Sequence, residues 1–311
     1  MEEKIPKLIY LVGLPGSGKS YYAKSLFKRT DNELDEEFSS CVYLSSDELR
    51  KEYYGDESCQ DNPAFIFEQM RQRTIHELEH GRDVIYDATN VNRKKRIQFL
   101  NSLPKNLDCY KICTVVWARL DTCIERDKNR ERTVGENVIM KICKQFQTPW
   151  EDEGWDSVHL IINDDRKYLF KDFNLDIPHD NPHHPNTIKH HTANVVREVL
   201  RLDAADIGGE DKQKLYFTAL LHDIGKIYTK SFVNSKGETT DIAHYYDHQN
   251  VSAYLALGMQ TWVCNEEALE ISYLCNMHME PFFNESKYFK NMDPKLKKLV
   301  LAFNECDKRG A

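Results

Sequence analysis

Two hydrophobic rhythms divide the chain. In the first half, short apolar runs at Leu8–Val12, Cys41–Ser45, Val84–Tyr86, Ile112–Trp117 and Val158–Ile162 are separated by segments with helical spacing, notably Ala64–Glu79, Asn92–Leu100 and Glu136–Phe146. Runs that are apolar throughout, rather than alternating, predict strands buried on both faces, and their alternation with helices predicts an α/β domain with a parallel sheet. Ligands in such sheets bind beyond the carboxyl ends of the strands, which makes polar residues there the candidates for function. The pattern dissolves between Asn163 and Pro185, where three prolines fall within eight residues and predict a stiff connector. Beyond it, Thr187–Leu202, Asp211–His222, Tyr246–Leu257, Glu266–His278 and Pro294–Asp307 carry apolar residues at helical spacing. Helices without intervening strands predict a separate all-α domain, and a boundary near Asn174 gives domains 1–174 and 175–311.

Length agrees with that division, since 311 residues exceed one domain of roughly 150. A hydrophobic content of 41% with 30% charged residues is that of a globular protein. No apolar run reaches the length of a bilayer span, and the start Met-Glu-Glu-Lys-Ile-Pro lacks the basic and apolar regions of a secretory signal. The expectation is a cytoplasmic protein with no membrane contact. Nine cysteines, odd in number and without a C-x-x-C pair, predict reduced thiols rather than a disulfide framework. The net charge of −8 argues against a DNA-coating protein but leaves room for local cationic patches. Arg93-Lys-Lys-Arg96 is one such patch or, equally, a solvated helix face.

Gly13-Leu-Pro-Gly-Ser-Gly-Lys-Ser20 fits the phosphate-binding pattern of glycine, four residues, glycine, lysine, then serine or threonine. It lies between a predicted strand and a predicted helix, as the motif requires. Gly13, Gly16 and Gly18 permit close backbone approach, so that N–H groups of the loop, Ser17 included, converge on phosphate oxygens. Lys19 reaches the β and γ phosphates and Ser20 holds Mg²⁺, which implies ATP or another NTP as cosubstrate. Further candidates follow at strand ends. Asp47 comes just past the second strand with Arg50 one turn later; as a bare sequence feature, Ser46 or Asp47 serves equally as a helix cap. Asp87, Thr89 and Asn90 place an acid, a hydroxyl and an amide after the third strand, where a cap for the next helix explains only part of the set. Arg126 and Arg130 are four residues apart, on one helical face, ahead of the helix-breaking Thr-Val-Gly-Glu. They form either solvated surface or a cationic flap over phosphates.

Nine of the twelve histidines lie between His179 and His278. Leu220-Leu-His-Asp-Ile-Gly-Lys226 puts His222 and Asp223 side by side at the end of an apolar helix, where burial is costly without a partner such as a divalent cation. His190 and His191 lie upstream and His244, His248, His278 and Asp307 downstream, distributed over separate helices. Mixed imidazole and carboxylate ligation suits Mn, Fe, Co, Ni or Zn.

Two resemblances sharpen these readings. The loop at 13–20, Ser46-Asp-Glu-Leu-Arg50, Asp87-Ala-Thr-Asn90, the arginines of 126–132 and Phe146-Gln-Thr-Pro-Trp-Glu-Asp-Glu-Gly-Trp155 occur in the order found in phage-type polynucleotide 5′-kinases, over about the first 165 residues. That resemblance implies Asp47 as the general base for a 5′-hydroxyl and Arg50 as the holder of a neighbouring substrate phosphate. It implies Arg126 and Arg130 as lid arginines on ATP, with Arg132 able to replace Arg130. From about residue 186, the His-Asp pair with its Gly-Lys, the upstream His-Thr-x-x-Val-Val and the closing Asp307 resemble the HD phosphohydrolase superfamily. That implies His191, His222, Asp223 and Asp307 around one metal, His248 and His278 at a second, and Lys226 on substrate phosphate. His190 is the less suitable neighbour, because the family's ligand stands immediately before Thr192.

Together the halves resemble bifunctional end-healing enzymes, although in those the HD domain comes first. The expected function is a 5′-hydroxyl polynucleotide kinase combined with hydrolysis of a 2′,3′-cyclic phosphate or a terminal 2′- or 3′-phosphate. The partners would be nucleic-acid ends, with RNA favoured over DNA, and a separate ligase. The alternative is a small-molecule or nucleoside kinase joined to an HD nucleotidase. Oligomeric state is not legible in the sequence.

Overall fold

A computed structural model describes residues 5–28, 41–181, 186–203, 205–259, 263–283, 289 and 292–311. Part of the proline-rich connector, 182–185, lies outside them. The chain forms two compact units, the first comprising Met1–Ile139 and Pro149–Asp164 and the second Met140–Thr148 and Asp165–Ala311. Residues 140–148 and 165–174 therefore pack with the second unit.

The first unit is a five-stranded parallel sheet with strand order β2-β3-β1-β4-β5, formed by β1 (Lys7–Val12), β2 (Val42–Ser45), β3 (Val84–Asp87), β4 (Tyr110–Trp117) and β5 (Ser157–Ile162). The central strands are buried almost end to end, as their unbroken apolar runs require. Its helices are α1 (Lys19–Lys28), α2 (Ser46–Tyr54), α3 (Pro63–Glu79), α4 (Arg93–Asn101) and α5 (Leu120–Lys128), with α6 (Glu136–Cys143) passing from the first unit into the second. Register positions the chemistry. Asp87 pairs with Leu11 on one side and Ser45 on the other, so the carboxyl ends of β1, β3 and β2 lie side by side along one edge of the sheet.

The cationic segment at 93–96 differs from both readings of its sequence. Lys94 and Lys95 face solvent, but Arg93 and Arg96 are buried, paired with Asp152 at 2.7 Å and Glu153 at 2.6 Å. Spacing of three residues turns both guanidinium groups inward, toward the acidic turn Glu151–Glu153. Glu153 takes two bonds from Arg96 and a third from Trp155 Nε1. Removing one member of a buried pair leaves the other charge uncompensated, so Arg96→Met should lose about 3–5 kcal/mol of stability. Urea denaturation checks this; a midpoint equal to wild type would show that the pair contributes nothing.

The second unit is built from α7 (Ile188–Leu200), α8 (Gly209–Leu221), α9 (Lys226–Thr229), α10 (His248–Ala256), α11 (Asn265–Met277) and α12 (Pro294–Gly310). The helical domain expected from the sequence also contains a short antiparallel hairpin, β6 (Ser231–Val233) and β7 (Thr239–His244). The hairpin closes through a turn in which Asn234 accepts from Gly237 N and Gly237 adopts φ 84°. Both strands are largely exposed, so they carry no apolar rhythm.

Buried polar residues fasten 140–148 to this unit. Thr148 N and Oγ1 both donate to Asn276 Oδ1 at 2.7 Å, Asn276 Nδ2 donates to Phe146 O and Asn250 Oδ1, and Asn250 Nδ2 donates to Lys144 O. Asn276→Ala would strand several of these groups at about 1–3 kcal/mol each. A lowered thermal midpoint is the expected result, and an unchanged one would contradict it.

Candidate functional sites

The loop of residues 13–18 wraps tightly between β1 and α1. Gly16 and Gly18 hold φ of 81° and 93°, and a Cβ on Gly18 would lie 1.8 Å from Asn163 Nδ2. That amide, just past β5, donates to Ser17 O at 2.9 Å and braces the loop. Gly13 N donates to Thr89 O at 3.0 Å, tying the loop to the segment after β3. Lys19 is buried, with Nζ donating to Gly13 O at 3.0 Å and Leu14 O at 2.9 Å. Burial lowers its pKa, while the carboxylate of Asp87 acts in the opposite direction. Ser20 Oγ and the Tyr43 hydroxyl both donate to Asp87 Oδ2 at 2.7 Å. A hydroxyl and a carboxylate meeting beside a phosphate loop are the hard oxygen donors that Mg²⁺ favours.

Asp47 is not a helix cap. Ser45 caps α2, accepting from Asp47 N, and the Asp47 carboxylate is left to meet Arg50 Nη1 at 2.8 Å and Arg132 Nη1 at 3.6 Å. Arg50 is buried, and its Nε has no hydrogen-bond partner among the described residues. Arg126 donates to Gly16 O and Asn163 O, which places its guanidinium on the loop. Arg130 instead pairs with Asp127. Asp127 is buried and also accepts from Val134 N and Gly135 N; these bonds outweigh burial and lower its pKa. Asn90 adopts φ 51° and donates its amide to Leu11 O, while its backbone carbonyl accepts from Arg96.

In the second unit, six buried side chains form two groups: His191, His222 and Asp307, and Asp223, His248 and His278. Close packing of the supporting helices depends on Gly225, where a Cβ would lie 2.2 Å from His248 O. Each histidine of the groups donates Nδ1–H to a backbone carbonyl: His191 to Gly310, His222 to Ala219, His248 to Tyr245 and His278 to Cys275. Nε2 is thereby turned inward in every case, as in metal-ligating histidines. His191 Nε2 and His222 Nε2 face each other at 3.3 Å, as do His248 Nε2 and His278 Nε2. Two inward lone pairs at that distance repel unless a cation lies between or beside them, so the donor set fits metal. Asp223 serves both groups, with Oδ2 3.4 Å from His191 and from His222 and Oδ1 3.3 Å from His248.

Charge follows the same geometry. Burial opposes protonation of His222, but Asp223 and Asp307 outweigh it and raise its pKa to about 10. Burial and the neighbouring His222 and His248 lower His278 to about 3. Burial also opposes ionisation of Asp223, yet His222 and Lys226 hold it ionised. The cluster of side chains thus favours positive charge.

Comparisons with known proteins follow this division. Residues 8–149 match the AAA domain family and residues 188–302 match the HD domain family. This chain joins a P-loop domain to an HD domain. The L-seryl-tRNA(Sec) kinase of Methanococcus maripaludis is 26% identical over 162 residues, 51% of this chain and 60% of that protein, so the match covers less than two thirds of the relative. Among solved structures, a chain of a Pnkp1/Rnl/Hen1 complex is 25% identical over 40% of each chain with a TM-score of 0.34. A gluconokinase from Sinorhizobium meliloti 1021 is 14% identical over 51% of this chain and 83% of its own, also with a TM-score of 0.34. No helix among the described residues is long and apolar enough to cross a membrane.

In the P-loop domain, Lys19, Ser20, Asp87 and Arg126 are drawn together around the loop, with Asp47, Arg50 and Arg132 forming a neighbouring group. Sequence reasoning did not single out Asn163, which the strand-end rule could have found, or Asp127, hidden in a charge run. In the HD domain, His191 is buried while His190 is exposed. His244 contacts Thr240 and Tyr246 and belongs to neither His/Asp group. His179 was also missed: it is 1% exposed, and its Nε2 lies 3.4 Å from Lys226 Nζ. Burial and the Lys226 charge lower its pKa to about 4.

Proposed function

We propose that the P-loop domain transfers the γ-phosphoryl group of an NTP to the 5′-hydroxyl of a nucleic-acid end, and that the HD domain hydrolyses a phosphate ester at such ends. The observation that carries the kinase half is the release of Asp47 from capping duty beside the buried Arg50. Asp47 accepts the hydroxyl proton as the new P–O bond forms and the bond to the departing NDP breaks. Arg50, with its unused Nε, holds a phosphate of the acceptor strand. Lys19 and Arg126 balance charge on the transferring group. Arg130 orders the loop after α5 through Asp127, which leaves Arg132 as the second cation facing the acceptor side. Asp87 was expected among the substrate-binding residues; its bond with Ser20 favours a role on Mg²⁺ instead.

In the HD domain, His191, His222, Asp307 and Asp223 would hold one divalent transition metal, and His248, His278 and the second oxygen of Asp223 another. Such an ion supplies Lewis acidity towards phosphoryl oxygens and activates water. Lys226, 2.7 Å from Asp223 Oδ2, binds a non-bridging phosphate oxygen. The esters that fit the kinase reading are a 2′,3′-cyclic phosphate and a terminal 2′- or 3′-phosphate of RNA, with a separate ligase acting on the healed ends.

A second reading is favoured by the relative named for L-seryl-tRNA(Sec) and by the acidic net charge of −8. In that reading the acceptor is a hydroxyl on an aminoacyl group or a free nucleoside. Incubation with labelled ATP and, in turn, a 5′-hydroxyl oligoribonucleotide, nucleosides and seryl-tRNA separates the two. Label on the oligonucleotide is expected; label on nucleosides or seryl-tRNA alone would refute the proposal.

A further inference from the structure

His179 lies upstream of the HD motifs and belongs to neither metal-binding group, yet it forms a wall of the same site. Its ring centre is 5.9 Å from that of His191 and 6.0 Å from that of Tyr245. Both Nδ1 and the backbone N donate to Asn186 O, at 2.8 and 3.4 Å, and the Tyr245 hydroxyl donates to His179 O at 2.5 Å. The ring is thereby fixed with Nε2 as an acceptor, and that lone pair faces Lys226 Nζ at 3.4 Å.

We propose that His179 is a positioning residue for Lys226, holding the ammonium so that one N–H is kept for a phosphate oxygen of the substrate. A lysine whose sole anchor was Asp223 would collapse onto that carboxylate, because a flexible stem lets a point charge follow the strongest attraction. Here Asp223 Oδ2 and His179 Nε2 take two of its three N–H groups, and the Tyr245 ring lies 5.5 Å from Nζ. The two anchors lie on different elements, one at the end of α8 and one ahead of α7, so they fix the direction of the third N–H. The ligand class is a phosphate monoester or diester, and the free anion orthophosphate shares its non-bridging oxygens. This inference rests on the hydrolase reading for its catalytic consequence, while phosphate binding tests it separately.

The test uses the full chain loaded with Mn²⁺, with orthophosphate as the probe in titration calorimetry and metal content measured by plasma mass spectrometry. His179→Leu should weaken orthophosphate binding about ten- to a hundredfold, the worth of a hydrogen bond to a charged group, with metal content unchanged. His179→Gln, whose amide oxygen can accept from Lys226, should restore most of it. With 4-nitrophenyl phosphate, KM should rise in His179→Leu more than kcat falls. In a Lys226→Ala background the His179→Leu change should add nothing, since residues acting through one another are not additive. If His179→Leu does not fold, His179→Phe keeps the ring volume and carries the same expectations. Loss of metal from these variants, full phosphate affinity in them, or no phosphate binding by the metal-loaded wild type would each overturn the proposal. Intact phosphate binding without ester hydrolysis by the wild type would instead refute the hydrolase reading and leave the His179 assignment standing.

Discussion

Asp223→Ala should purify with its transition metal depleted and with phosphohydrolase activity reduced on the order of a thousandfold or more, while kinase activity stays at the wild-type level. The size of the effect follows from one carboxylate serving two groups. Oδ2 faces His191 and His222 and Oδ1 faces His248, so a single truncation takes a ligand from both clusters. It also removes the partner of Lys226 and one of the two carboxylates whose charge favours a cation beside His222. The other members of the Asp223 group are the imidazoles of His248 and His278, which bring no negative charge. Metal analysis and assays on the two activities check the result. Wild-type metal content in the variant would show that Asp223 is not a ligand, and parallel loss of kinase activity in a folded protein would break the two-site account.

Lys19→Ala should show the opposite division, with kinase activity lowered on the order of a thousandfold and the hydrolase intact. Lys19 Nζ is buried in the loop that would hold the phosphates, and the Gly13 and Leu14 carbonyls keep it there. Asn163 and Thr89 brace the loop on either side of it. Lys19→Arg should not rescue, since a planar guanidinium does not fit where an ammonium is held by two carbonyls. Phosphoryl transfer from ATP at saturating acceptor measures the effect; retention of a tenth or more of wild-type activity would contradict the role.

The parallel sheet was legible because its strands are apolar on both faces, and the candidate residues of both domains stood out because they carry chemistry at fixed spacings. What stayed hidden had physical reasons. The β6–β7 hairpin is exposed on both strands and so leaves no hydrophobic rhythm. Arg93 and Arg96 look like solvent-facing charge until Asp152 and Glu153, more than fifty residues away, are folded against them. The cap of α2 falls on Ser45, one residue before Ser46 and two before Asp47, and that shift separates Asp47 as a cap from Asp47 as an available base. His179 carries no motif of its own, and only the tertiary fold brings it to Lys226.

Treatment of both kinds of nucleic-acid end by one chain is the expectation on which the two activities meet. It is tested most directly by incubating the metal-loaded protein and ATP with an oligoribonucleotide bearing a 5′-hydroxyl and a 2′,3′-cyclic phosphate, and reading both termini by mass spectrometry. The expected product carries a 5′-phosphate and an opened or removed terminal phosphate, the first change absent in Lys19→Ala and the second absent in Asp223→Ala. An RNA recovered unaltered at both ends, while free nucleosides in the same mixture become phosphorylated, would contradict it.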